Sequence, residues 1–199
     1  MNAPKTLLQM AGADPAPARL SEAAVVIIDA QNEYVNGKVP LAGIGAALEA
    51  IAQLLDAART AGAPIIHVQH RGRSGFLFDP AGPGFAIAPE ATPKSGEKIA
   101  QKELPNAFAK TSLHLDLQAT GRKNLILAGF MTHMCVSATA RAALDHNWRT
   151  TVVGDATATR DLPDPFGGEP LTAAQVQRAA LAELADRFAT IARVADLHN

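Results

Sequence analysis

Cys135 is the one cysteine in this 199-residue chain, and its neighbours could make its thiol reactive. The apolar run Leu125-Ile126-Leu127-Ala128 precedes Gly129-Phe130-Met131-Thr132-His133-Met134-Cys135-Val136, and the helix-favouring residues from Ser137 to Leu144 follow. That order reads as a buried strand, a tight turn and a helix, with Cys135 in the first helical turn. Unpaired N–H groups and the positive end of the helix dipole favour a thiolate at such a position. The expected thiol pKa is therefore below the ~8.5 of a free cysteine. A lone thiol cannot form an intrachain disulfide and makes a poor metal site. The competing structural role is a small buried hydrophobe.

The elements that must position Cys135 follow from the hydrophobic pattern. Residues 24–28 are apolar and largely β-branched, as in a strand buried on both faces, and Asp29 ends that run. Ile44, Leu48, Ile51, Leu55 and Ala58 recur at helical spacing, and Gly62 closes the helix. Further strands are expected at 64–69, 97–102, 123–128, 149–154 and 190–194. Thr111 caps a helix through Leu117 that Gly121 terminates, and Val176, Ala180, Leu184 and Phe188 mark the last helix. Residues 1–20 read as an N-terminal surface arm with a short helix at 6–10, and 21–199 as one domain. Loops 71–96 and 155–170 are rich in Gly and Pro and are the expected homes of specificity. Alternating strands and helices imply an α/β/α three-layer fold around a parallel, six-stranded Rossmann-like sheet. Ligands in such folds sit at the carboxyl ends of the strands. Asp29, Lys102 and Cys135 all fall at that edge, although no two are close in sequence. A carboxylate desolvated by its strand is a proton acceptor, a lysine stabilises both anions, and a thiolate is a nucleophile for acyl transfer.

Composition narrows the class. A net charge of −1 gives no electrostatic case for nucleic acid or an anionic membrane, and no apolar run is long enough to span a bilayer. The first ten residues lack the long apolar stretch of a secretion signal, which points to the cytoplasm. There is no Gly in Asp29-Ala30-Gln31-Asn32, so a dinucleotide-binding turn is not expected, and a thiol redox enzyme would want a second cysteine.

Three stretches together resemble the isochorismatase-like cysteine hydrolases: 26–34, from Val26 to Tyr34; Lys102-Glu103-Leu104-Pro105-Asn106-Ala107-Phe108; and Gly129 to Val136 with Thr139-Ala140. The likeness runs from about residue 24 to 194. It implies an Asp29–Lys102–Cys135 triad, a non-proline cis peptide between Phe130 and Met131, and an oxyanion hole made by the Met131 and Cys135 N–H groups. True isochorismatases of this fold lack the cysteine and cleave a vinyl ether, so Cys135 favours hydrolysis of a C–N bond (amide, carbamoyl or lactam) through a thioester. Ether hydrolysis and a non-catalytic binding role on the same fold are the alternatives. The nicotinamidases' metal motif and extra histidines find no match, since residues 35–60 contain no His. His67 and His70 should point to opposite faces of their strand. No metal and no cofactor are expected.

Gln31, Tyr34, His70, Phe108, Phe130 and His133 are the candidate pocket residues. Gln31 could bond Asp29 or a substrate amide. Phe76 and Phe78 could form a lid, Met131 and Met134 should pack, and Trp148 should cover the far end of the Cys135 helix. The apolar composition and the free arm suggest a homodimer or higher homo-oligomer acting on a small molecule.

Overall fold

Every residue of Ala23–Ile28 is buried, and this strand, β1, takes a central place in the sheet. Alternate side chains serve different layers. Val25 and Ile27 join one core cluster, while Ala24, Val26 and Ile28 join the other, as the twofold repeat of a strand requires. The computed structural model describes residues 3–198. The other strands are β2 (Ile65–His70), β3 (Lys98–Lys102), β4 (Asn124–Phe130), β5 (Arg149–Ala158) and β6 (Thr190–Ala192). They form one six-stranded sheet in the order β3-β2-β1-β4-β5-β6, and each neighbouring pair is parallel. The expected α/β/α architecture is therefore the observed one.

Helix α2 (Ile44–Thr60) covers one face with Leu48, Ile51, Leu54 and Leu55. The other face is covered by α3 (Leu113–Ala119), α4 (Ser137–Asp145) and α5 (Ala173–Arg187) through Leu113, Leu117, Ala140, Ala143 and Leu184. Trp148 lies in this second cluster with Ala140 and Ala143, at the far end of α4. The strand order reverses direction between β1 and β4, and the crevice of such a fold opens there. Asp29 leaves β1, and the Cys135 segment leaves β4, on the two sides of this crevice.

Three local details depart from the sequence reading. Strand β5 runs to Ala158 rather than 154. After a register shift between Leu127 and Gly129, Thr157 and Ala158 pair with Gly129 and Phe130. Gly154 and Asp155, poor strand formers, fall within that irregularity, and the pairing resumes beyond them. Strand β6 stops at Ala192, and the Val194 N–H turns to Asp155 Oδ1 at 3.1 Å. The Thr111 hydroxyl accepts from Leu113 N at 3.2 Å, while Ser112, with no side-chain cap, occupies the cap position of α3.

The arm lies against its own domain. Thr6 and Gln9 form a capping box around α1 (Leu7–Met10), and Leu7 N donates to Asp186 Oδ1 at 2.9 Å. Arg149 pairs with Asp14, and the buried Ala18 N donates to Thr151 Oγ1. Among the described residues, no helix is long and apolar enough to cross a membrane.

Candidate active site

Three strand ends converge on one point. Asp29 follows β1 with φ 49°, a left-handed conformation rare outside glycine, asparagine and aspartate. Its N–H is held by Val68 O of β2 at 2.9 Å. Lys102 is the last residue of β3 and reaches across the end of β2, so that its Nζ stands 2.6 Å from Asp29 Oδ2. The same ammonium lies 3.3 Å from Cys135 Sγ and 2.9 Å from His70 Nδ1. Gly129 makes the close approach of β1 and β4 possible: its φ is +115°, and a Cβ there would sit 2.0 Å from Ile28 O.

Cys135 occupies a single π-helical turn, Thr132–Val136, before α4 begins. Within it, Val136 N reaches back five residues to Met131 O at 3.2 Å. The peptide between Phe130 and Met131 is cis, as expected.

Burial dominates the protonation equilibria. Both Asp29 and Lys102 side chains are fully shielded, and beyond the ion pair neither Asp29 oxygen has a hydrogen-bond partner. Desolvation therefore raises the Asp29 carboxyl to about 6, with Lys102 opposing the rise. Desolvation likewise pushes the Cys135 thiol up to about 12, and the Asp29 charge adds to it while Lys102 works against it. This corrects the expectation of a depressed thiol pKa: burial favours the neutral thiol, and the Asp29 carboxylate lies close beside it. His70 is pushed down to about 4 by burial and then by the Lys102 charge, so near neutral pH its free Nδ1 accepts from the ammonium.

Asp29, His70 and Cys135 offer a carboxylate, an imidazole and a sulfur whose donor atoms lie within 4.8 Å of one another. Such a set could hold a divalent cation. The Lys102 ammonium contacts all three members, and so fills the place a cation would take.

In front of Cys135 opens a cavity of ≈ 710 Å³, ample for a small molecule. Tyr34, Val39, Phe78, Pro105 and Met131 supply apolar walls. Tyr34 meets Phe78 edge-on at 5.1 Å, and Phe78 meets His70 at 4.9 Å.

An isochorismatase domain model matches residues 23–196, nearly the whole chain. The chain belongs to the isochorismatase family. It is 40% identical over 190 residues to a secreted isochorismatase effector of Verticillium dahliae, covering 95% of this chain and 97% of the relative. It is 34% identical to a streptothricin hydrolase of Streptomyces noursei over 86% of this chain, which spans 63% of that relative's length. An ureidoacrylate amidohydrolase of Azorhizobium caulinodans is a more distant relative, 26% identical over 94% of this chain and 93% of the relative. Among solved structures, an isochorismatase from Pseudomonas putida KT2440 superposes with a TM-score of 0.93 at 47% identity, covering 98% of this chain and 100% of the other. The family is thus one of hydrolases that includes amidohydrolases.

Set against this cavity, the candidate pocket residues divide. Tyr34 and His70 line the cavity. Gln31, Phe108, Phe130 and His133 do not. Gln31 is fully buried and acts as a brace: its Oε1 accepts from His70 N at 2.7 Å, and its Nε2 donates to His70 O and Phe85 O. Phe130 is core, edge-on to Tyr34 from behind. Phe108 packs in the other layer against His146 and His114. The His133 ring bonds Thr159 Oγ1 instead of facing the cavity. Met131 and Met134, expected only to pack, both line it. His67 lies apart from His70, bonded to Glu97 at 2.8 Å.

Sequence reasoning missed Lys38, Arg73 and Arg160, all cavity-lining. Arg160 was discoverable as a residue just beyond a strand's carboxyl end, but placing the end of β5 at 154 set it six positions out in a loop. It also missed Glu33, a buried carboxylate that receives Lys38 N at 2.9 Å and Phe78 N at 3.4 Å, so joining loop 71–96 to the turn after β1.

Proposed function

We propose that this protein hydrolyses a C–N bond of a small amide, carbamoyl compound or lactam, with Cys135 as nucleophile. The observation that carries the reading is the contact of one buried ammonium with both Asp29 and Cys135 at the floor of the cavity. As Sγ attacks the substrate carbonyl carbon, its proton passes to the Asp29 carboxylate, so no free thiolate has to exist beforehand. Lys102 stays charged and offsets the negative charge that moves between sulfur and carboxylate. The oxygen of the tetrahedral intermediate is received by the N–H groups of Met131 and Cys135. Collapse breaks the C–N bond, the amine departs with the proton that Asp29 returns, and a Cys135 thioester remains. Asp29 then takes a proton from water, whose oxygen attacks the thioester. The acid leaves, and the thiol recovers its proton.

No metal takes part in this cycle. The support is that Lys102 already occupies the centre of the Asp29–His70–Cys135 donor set. Two relatives are named isochorismatases and one an amidohydrolase, so the bond cleaved must be tested directly. Purified protein is offered a panel of primary amides, ureido acids, maleamate-like acids and lactams, with isochorismate alongside. Turnover of a C–N substrate with ammonia or amine release, lost in Cys135→Ala, and a mass-resolved acyl adduct on Cys135 are expected. Isochorismate cleavage that survives Cys135→Ala would replace this reading with ether hydrolysis.

A further inference from the structure

Lys102 and His70 are neighbours by register before they are neighbours by chemistry. The β2–β3 ladder pairs the two residues on its last rung, and Arg71 N donates to Lys102 O at 2.8 Å just beyond it. Their side chains therefore leave the sheet side by side, and Lys102 Nζ comes to 2.9 Å from His70 Nδ1. An ammonium has three N–H groups and can only donate. Here it meets three acceptors: Asp29 Oδ2 at 2.6 Å, Cys135 Sγ at 3.3 Å and His70 Nδ1. Each N–H thus has a partner, as the full burial of the Lys102 side chain demands.

The contact also sets the state of the ring. Nδ1 must turn its lone pair to a partner that only donates, so the neutral imidazole carries its proton on Nε2. Backbone and ring of His70 are held by different partners. Gln31 takes the backbone on both sides, Oε1 accepting from His70 N and Nε2 donating to His70 O. Phe78 meets the ring edge-on at 4.9 Å. The side chain can therefore be exchanged while the Gln31 brace stays in place. Of the three acceptors, His70 alone takes no part in the proton exchange between Asp29 and Cys135, so it offers the ammonium a fixed anchor. Without it, the third N–H would be orphaned in a buried setting, and the ammonium would have to turn from one of its two reacting neighbours to satisfy it.

We propose that His70 is a positioning residue: its Nδ1 lone pair anchors the Lys102 ammonium, so that the other two N–H groups stay aimed at Asp29 and Cys135 while the proton passes between them. For its use in turnover this rests on the C–N hydrolase reading above; its effect on the thiol rests on the geometry of the four side chains.

Two substitutions separate this role from packing. His70→Phe keeps a ring against Phe78 and removes the acceptor. His70→Asn gives up the ring and places an amide oxygen where the imidazole carries Nδ1. Iodoacetamide labelling of native Cys135 at neutral pH reads the effect without a substrate. His70→Phe should slow labelling by about tenfold or more, the scale of a misplaced catalytic group, while His70→Asn stays within about threefold of wild type. On any amide the wild type turns over, kcat should fall in the same order with KM little changed. A further measurement uses the unsubstituted protein, and so holds where a variant folds poorly: 15N NMR should show His70 in the Nε2–H form with a hydrogen-bonded Nδ1 lone pair. Labelling of His70→Asn as slow as that of His70→Phe, or slower, overturns the proposal, as does an Nδ1–H ring in the wild type. If no amide is turned over, yet labelling order and tautomer are as expected, the C–N reading fails and the positioning of Lys102 by His70 stands.

Discussion

Lys102 Nζ lies 2.6 Å from Asp29 Oδ2, and both side chains are sealed from water. The pair is not a simple structural salt bridge, because burial still holds the carboxyl at about 6 against the pull of the ammonium. The sign of the pH dependence follows. A carboxyl raised above its usual 3.8 takes up its proton in the folded state first. Its burial therefore weighs more on stability as pH climbs from about 4 to about 6, while the ionised form needed by the proposed base appears in the folded protein around pH 6. We predict that kcat/KM rises through about pH 6 to a plateau. Lys102→Met should move that rise to higher pH and lower the plateau by at least about 100-fold, at the scale lost with a general base. A rate profile centred near 4, or one that Lys102→Met leaves in place, counts against Asp29 as the base.

The thiol is the second partner in this exchange, and alkylation reports on it. With the Cys135 proton held to about 12, the resting protein presents a neutral thiol beside a carboxylate. Iodoacetamide should therefore label native Cys135 with a rate that climbs near pH 6, following Asp29. The unfolded chain should show the ordinary thiol inflection near ~8.5. Since the chain has one cysteine, adduct mass alone measures the reaction. A native profile that inflects near 8.5 would mean that Asp29 does not govern the thiol.

How much of this was legible in the sequence depends on whether a position is set by local pattern or by distant contact. The central strands were legible because Val25-Val26-Ile27-Ile28 and Leu125-Ile126-Leu127 can be buried on both faces and do little else. The convergence of Asp29, Lys102 and Cys135 was legible because strand ends share an edge in a parallel sheet. Thiol acidity was not, since a helix terminus is visible in sequence but the desolvation that outweighs it comes from packing. Gln31 shows the same limit. Two residues beyond Asp29 it has the chemistry of a substrate ligand, yet its partners, His70 and Phe85, lie 39 and 54 residues away.

Gln31→Ala tests that bracing role. The substitution leaves His70 N, His70 O and Phe85 O without their side-chain partner in a buried setting. Unsatisfied buried groups cost ~1–3 kcal/mol each. With partial relaxation, a loss of about 2–4 kcal/mol in unfolding free energy is expected. Activity should fall as well, because His70 and the short helical turn ending at Phe85 lose their shared brace. A variant of unchanged stability with raised KM alone would return Gln31 to the list of substrate contacts.

Gly129→Ala addresses how β1 and β4 reach the crevice. The new methyl would meet Ile28 O at 2.0 Å in a backbone conformation closed to side-chain-bearing residues. Overpacking and the left-handed strain should together remove about 3 kcal/mol or more, read by urea denaturation. Because the same strands deliver Asp29 and Cys135, residual folded protein should be poorly active. Full stability would show that the sheet can part at this point without harm.

Lys102 as a built-in cation makes a sharper forecast for metals than the scarcity of nearby histidines does. Wild-type turnover should survive prolonged EDTA treatment, and the isolated protein should carry far less than one transition metal per chain. Removing the ammonium changes the chemistry of the same space. Lys102→Ala leaves an oxygen, a nitrogen and a sulfur donor within 4.8 Å of one another and unneutralised. A thiol near zinc gives up its proton, which adds a second anionic ligand to the Asp29 carboxylate beside the neutral His70. The variant should therefore take up zinc toward one ion per chain at micromolar concentration, with its melting temperature rising as zinc is added. Uptake should disappear when Cys135→Ala is combined with it. Zinc binding by the wild-type chain, or activity that returns with zinc after chelation, would mean that Lys102 does not hold the cation's place.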